Sequence, residues 1–215
     1  MKDLLIIGAG GLGRETAWLV ERINQRKQLW NVIGFIDDKE ETWGKIVNGY
    51  KVIGNCEKIT EYSNAYVICA IGASKTREHI IHKVKHLVPD IKFATLIDPK
   101  VEMSDYVSIG DGSIICAGTV ISVNVTIGKN VIVDWNCTIG HDAVLEDNVM
   151  LYPSVNVSGS TRIGTGVELG TGTQIIQGKK IGKYSIIGAG AVVVSDIQEQ
   201  CVAVGVPAKP IKFFT

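Results

Sequence analysis

The chain reads as half of a doubly wound α/β fold followed by a parallel β-helix, and three features of its 215 residues predict this. An aliphatic residue returns at every sixth position from Ile97 to Val193. Near the N-terminus, a glycine-rich turn (Gly8-Ala9-Gly10-Gly11-Leu12-Gly13) separates an apolar run from a helical pattern. The next apolar run ends in the acidic pair Asp37-Asp38.

The repeat is the strongest of the three. Its column runs Ile97, Met103, Ile109, Ile115, Ile121, Ile127, Val133, Ile139, Leu145, Leu151, Val157, Ile163, Leu169, Ile175, Ile181, Ile187, Val193. Two places before most of these stands a small or β-branched residue, as at Ser113, Val131, Cys137, Ala143 and Thr173. Directly after many stands glycine, as at Gly128, Gly140, Gly164 and Gly170. A six-residue period fits neither a helix of 3.6 residues per turn nor an uninterrupted strand. It fits a short strand plus a corner, stacked as a solenoid.

The preceding segment follows the order strand, turn, helix. Asp3 to Ile7 reads as a buried strand, and Thr16 to Arg26 has helical spacing. Glycines in the turn between them let the backbone approach a pyrophosphate, which the helix N-terminus faces. A second strand, Val32 to Ile36, leads to Asp37 and Asp38, where acids meet the ribose or base of a nucleotide. Val67 to Ile71 is a third strand, and Thr76 to Leu87 a helix whose His79, His82 and His86 share a solvated face with Lys83 and Lys85. Phe93 to Ile97 then crosses into the repeat, with Asp98-Pro99 as the first corner and the domain boundary near residue 95. The domains are thus 1–95 and 96–215. About ninety residues are half of a dehydrogenase fold, so a mononucleotide or nucleotide-sugar fits better than a dinucleotide.

Charge and cysteine content narrow the function classes. With 22 basic and 22 acidic residues, there is no field to hold nucleic acid or an anionic membrane. The first residues lack the length and cleavage site of a signal peptide, which points to the cytoplasm. Five cysteines without CxxC pairing suit a reduced compartment, and no metal is expected.

Within the repeat one residue breaks the pattern. His141 is the only histidine outside the helix of residues 76–87 and falls two places after Ile139, on an outer corner. A neutral imidazole can take the proton of an attacking amine or hydroxyl, and a carboxylate such as Asp142 fixes its tautomer. A zinc β-helix enzyme of the γ-carbonic anhydrase type needs histidines from adjacent coils, and the repeat has one.

These pieces together resemble the NeuD- and PglD-type bacterial sugar O- and N-acetyltransferases. The matching segments are Ile7-Gly8-Ala9-Gly10-Gly11-Leu12-Gly13-Arg14, Phe35-Ile36-Asp37-Asp38, Ala70-Ile71-Gly72 with Arg77, Ile139-Gly140-His141-Asp142, and Val204-Gly205-Val206-Pro207-Ala208-Lys209. The resemblance implies an N-terminal half-Rossmann domain and a left-handed parallel β-helix with three hexapeptides per coil. It implies a homotrimer that binds acetyl-CoA between neighbouring prisms. Gly10, Gly11 and Leu12 would contact the sugar-nucleotide, Asp37 and Asp38 its base or ribose, and Gly72 the same pocket. His141 would be the general base, Asp142 would raise its basicity, and the Gly159 N–H would meet the thioester oxyanion. Met150, Gly159, Thr171 and Ala189 would touch acetyl-CoA, with the Val-Pro-Ala-Lys tail holding its far end. Leu12 and Met150 each stand where some members carry histidine, and Asp142 where the bacillosamine enzyme has Glu.

The function expected is acetyl-CoA-dependent N-acetylation of a nucleotide-linked amino sugar for surface glycans, by direct attack. O-acetylation of sialic acid or another sugar hydroxyl is the alternative. A non-catalytic trimeric nucleotide-binding scaffold is the alternative from another class.

Overall fold

The computed structural model describes residues 1–214. The chain forms two compact units, residues 1–72 with 76–99, and residues 73–75 with 100 onward.

In the first unit, β1 (Lys2–Ile7) is central, because its four residues Leu4 to Ile7 are apolar on both faces and fully enclosed. β2 (Trp30–Ile36) runs parallel to it on one side and β5 (Tyr66–Cys69) on the other. Beyond β2 lies β4 (Tyr50–Gly54), and beyond β5 lies β6 (Lys92–Phe93), both parallel to their neighbours. β3 (Ile46–Val47) closes the edge as a hairpin with β4. That hairpin turns on Asn48 and Gly49, at φ 47° and 85°, the left-handed pair that an Asn-Gly turn favours. The sequence reading passes over this hairpin, although its turn dipeptide carries the signal.

Two helices cover the sheet. α1 (Gly11–Arg26) begins five residues earlier than its apolar spacing alone predicts, its first turn being made by the glycine-rich segment. It buries Thr16, Ala17, Leu19, Val20 and Ile23, spaced three or four apart along one face. α2 (Ser74–Leu87) adds Ile81 and Val84 to a core with Leu5, Ile7, Ile36, Val67 and Ile91. Among the described residues no His, Cys, Asp or Glu cluster could hold a metal, and His79, His82 and His86 are exposed. No described helix is long and apolar enough to cross a membrane.

The second unit is a left-handed parallel β-helix. Through Val193 each strand of the repeat is two residues long, and residue n pairs in parallel with residue n+18, so three hexads make one coil. One face stacks Ile121, Ile139, Val157, Ile175 and Val193. A second stacks Ile109, Ile127, Leu145, Ile163 and Ile181, and a third Ile115, Val133, Leu151, Leu169 and Ile187. From Ile115 to Val193 all of these are buried, at about 1.5–3 kcal/mol for each side chain. The column opens at its first coil, where Met103 is 44% exposed. At the other end Cys201–Val204 extends the third face, and Lys209–Phe213 pairs with it antiparallel.

The corners explain the rest of the repeat. Three places after each inward residue the backbone turns left-handed, at Asn124, Asn130, Asn136, Asp142, Asn148, Ser154 and Ser160 with φ between 56° and 62°. Asn, Asp and Gly enter that region most readily, and Ser154, Ser160 and Tyr184 adopt it at equivalent corners. The glycine one place after the inward residue answers a close approach between coils. A Cβ on Gly140 would stand 2.5 Å from the Gly159 nitrogen, and one on Gly170 2.6 Å from that of Ala189.

Candidate functional site

Two separate places carry chemistry, one in each unit. The first is a cavity of about 460 Å³ at the carboxyl ends of the parallel strands, where open α/β sheets bind ligands. Its walls are apolar: Leu12, Ile36, Cys56, Ile71 and Ile80. Its polar groups come from Gly10, Gly11, Asp37, Asp38, Lys39 and Thr76. Gly10 precedes α1 without any side-chain cap, and no acid stands in the first turn, which leaves the helix N-terminus open to an anion.

The two acids of the cavity have different partners. One carboxylate oxygen of Asp37 accepts the Ala9 N–H at 2.8 Å and the other the Lys39 N–H at 3.0 Å. Its carbonyl accepts the Trp43 indole N–H at 2.7 Å. Asp37 therefore ties the glycine-rich turn to the end of β2. Asp38, which is exposed, accepts the Cys56 N–H at 3.1 Å through one oxygen. Burial pushes the Cys56 thiol up to about 11, so it stands protonated at neutral pH. Gly72 stands outside the lining, which Ala70 and Ile71 provide instead. The carbonyls of Ile71 and Gly72 both accept from the guanidinium of Arg77, which is fully buried, at 2.6 and 2.8 Å.

The second place is the corner at His141 in the prism. His141 Nδ1 lies 2.7 Å from Asp142 Oδ2, with the two side chains 48% and 52% exposed. Hydrogen bonds from His141 and then Asn124 hold the Asp142 carboxyl below its ordinary range. Asn124, one coil earlier, donates its amide N–H to Asp142 Oδ1 at 3.1 Å. The ring lies over Gly159, one coil later: a Cβ there would stand 2.5 Å from His141 Nε2. Gly159 itself is buried, and its N–H finds no acceptor among the described residues. Sequence reading names His141, Asp142 and Gly159 but omits Asn124, which stands 18 residues before Asp142.

The remaining three predicted positions lie elsewhere in the prism. Thr171 and Ala189 are exposed and share a different corner, the one that follows the Leu151–Leu169–Ile187 face. Met150 begins a strand of that face, paired with Ile132 and Glu168, and is 1% exposed. Within one chain, then, His141 and the Thr171–Ala189 pair occupy separate corners.

Comparison with known proteins bears on both places. The PglD N-terminal domain model matches residues 3–84. A histidine mutant of perosamine N-acetyltransferase from Caulobacter crescentus, solved with CoA and GDP-perosamine, is 26% identical over 99% of this chain and 98% of its own, with a TM-score of 0.89. The acetyltransferase domain of PglB from Neisseria gonorrhoeae is 32% identical over 98% of this chain and 100% of its own, with a TM-score of 0.86. WeeI from Acinetobacter baumannii is 25% identical over 98% of this chain and 100% of its own, with a TM-score of 0.85. No curated protein matches. The match to PglB runs through both units from end to end, and this enzyme accordingly belongs to the PglD-like sugar acetyltransferases.

Proposed function

We propose that the chain transfers an acetyl group from acetyl-CoA to the amine of a nucleotide-linked amino sugar, as a cytoplasmic step in surface glycan synthesis. The observation that carries this reading is the His141–Asp142 pair lying over Gly159. Asp142 accepts the Nδ1 proton, which leaves the Nε2 lone pair to act as base. Nε2 takes the proton that the amine loses as its nitrogen bonds to the thioester carbonyl carbon. The Gly159 N–H, without an acceptor among the described residues, donates to the oxygen as it becomes negative. The C–S bond then breaks, and the imidazolium gives its proton to the departing sulfur, so that CoA leaves as the thiol and His141 is again neutral. No covalent intermediate is required, because among the described residues no Ser or Cys side chain hydrogen-bonds His141.

The cavity of the first unit serves as the nucleotide-sugar site. Its open helix N-terminus and glycines suit a diphosphate, and its apolar walls suit a base and a deoxy sugar. The relative solved with CoA and GDP-perosamine supports an acceptor of this class, and the PglB domain solved with acetyl-CoA supports the donor. Separation of His141 from Thr171 and Ala189 within one chain favours a homotrimer in which acetyl-CoA bridges two prisms. Such a neighbour would also cover the half-exposed imidazole, where desolvation strengthens its electrostatic interactions.

The test is a thiol-release assay with acetyl-CoA and a panel of UDP-, dTDP- and GDP-linked 4-amino sugars, with sialic acid as contrast. Thermal shifts report binding without turnover. Release with one nucleotide amino sugar is expected, along with a fall of about 10²- to 10⁴-fold in His141→Ala at unchanged melting temperature. Release with sialic acid alone would make the reaction O-acetylation. Silence with every acceptor, and no shift from acetyl-CoA, would leave a scaffold.

A further inference from the structure

Asn124 stands at the same level of its coil as Asp142 does one turn later, and both adopt φ 58°. That backbone alone explains an Asn, and equally a Gly, as at Gly112 and Gly118 in neighbouring corners. It does not explain the side chain. The Asn124 amide spans the coil to Asp142 Oδ1 at 3.1 Å, while Asp142 Oδ2 meets His141 Nδ1 at 2.7 Å. Each carboxylate oxygen therefore has one partner, and the plane of the carboxylate is fixed by two groups on successive coils.

An exposed carboxylate joined to the backbone by one rotatable stem would otherwise turn freely in water, since solvent satisfies its oxygens in any orientation. What Asn124 supplies is direction. The Asp142 N–H also donates to the Val123 carbonyl at 3.0 Å, so backbone and side chain of the two turns are tied together.

We propose that Asn124 is a positioning residue for the reaction: it orients the Asp142 carboxylate so that His141 carries its proton on Nδ1 and presents Nε2 as the base. This rests on the reading of His141 as the general base. The direction of the Asp142 titration agrees, because the Asn124 hydrogen bond stabilises the ionised form. Among the left-handed corner residues of the prism, Asn124 thereby acquires a part in the chemistry.

The clean variant is Asn124→Gly, which keeps the left-handed turn and removes the amide. Asn124→Asp keeps the shape and sets a second carboxylate against Asp142. Nitrogen NMR of the imidazoles reads the tautomer in the protein alone, with no acceptor sugar needed, and His141→Ala identifies the His141 signals among the four histidines. The native protein is expected in the Nδ1–H form, with Asn124→Gly moved toward the Nε2–H form that an unconstrained histidine side chain prefers in water. In the acetyl-transfer assay, kcat should fall about three- to tenfold in Asn124→Gly and further in Asn124→Asp, with the KM for acetyl-CoA unchanged. A merely structural Asn would lower the melting temperature and leave the tautomer alone. A native tautomer and native kcat in Asn124→Gly, beside an inactive His141→Ala, would overturn the positioning role by itself. A fully active His141→Ala would overturn the base and Asn124's role with it.

Discussion

The two units of this chain are built on opposite economies of contact. In the repeat of the prism residues meet copies of their own environment 18 positions away, and the same hydrogen bond recurs from coil to coil, as from Thr138 to Val155 and from Asn156 to Thr173. In the first unit each contact occurs once. Gly8 donates to the Ile36 carbonyl, Ala70 to that of Ile7, and Asp37 to that of Gly54, and none of these has a substitute. A repeated architecture spreads the effect of a substitution over neighbours, because its stability is a sum of similar interfaces. A singly connected one concentrates it.

The largest effect expected from this contrast is at Gly13. A Cβ there would collide with the Gly8 carbonyl oxygen, which is backbone and cannot move aside without opening the turn between β1 and α1. Gly13→Ala should cost more than about 4 kcal/mol and unfold the first unit. Limited proteolysis of the full chain should then digest the N-terminal portion and spare the β-helix. Protection of the whole chain in the variant would break the comparison, since the contact would have proved replaceable.

The prism supplies the middle case. Leu151 is fully buried between Val133 and Leu169 in the stack. Leu151→Ala should cost about 3 kcal/mol, within the range for buried leucines, as lost transfer energy and a cavity that the coils above and below partly close. Urea unfolding measures it. A cost near 1 kcal/mol would mean that the repeat collapses onto the gap; a cost above 5 kcal/mol would mean that one coil governs the rest.

The same contrast governs what the sequence discloses. The prism is legible because its rule is local and strict: inward aliphatics at six-residue spacing, small residues two places before, glycine one place after. The left-handed third place, most often Asn, Asp or Gly but Ser at 154 and 160 and Tyr at 184, reads as ordinary corner composition until backbone angles are known. His141 is conspicuous as a lone histidine in the repeat, and Gly159 follows by adding one coil. Asn124 follows by subtracting one coil from Asp142, but nothing in its residue type separates it from Asn130 or Asn136. In the first unit the turn and the acids are visible as motifs while their partners are not. Asp37 and Asp38 look equivalent in sequence. Their difference arises from Ala9, Lys39 and Cys56, which are 28, 2 and 18 residues away, and no period relates them.

The smallest expected effect sharpens that last distinction. Asp37 has both oxygens engaged by backbone N–H groups, so its part is to hold the glycine-rich turn at the end of β2. An Asn at this position keeps one acceptor and turns an NH₂ toward the second donor, which loses one hydrogen bond at about 1 kcal/mol. Asp37→Asn should thus weaken nucleotide-sugar binding only about fivefold, through a loosened turn, with a matching fall in melting temperature. Asp38 is exposed and has one oxygen engaged by Cys56. Asp38→Asn should leave the melting temperature alone and change affinity by an amount that depends on the base offered, since its free oxygen can meet N–H groups of the ligand. Calorimetric titration with UDP, dTDP and GDP sugars compares the two. If Asp37→Asn discriminates between bases and Asp38→Asn does not, the roles are exchanged, and the brace of the turn is the residue that reads the nucleotide.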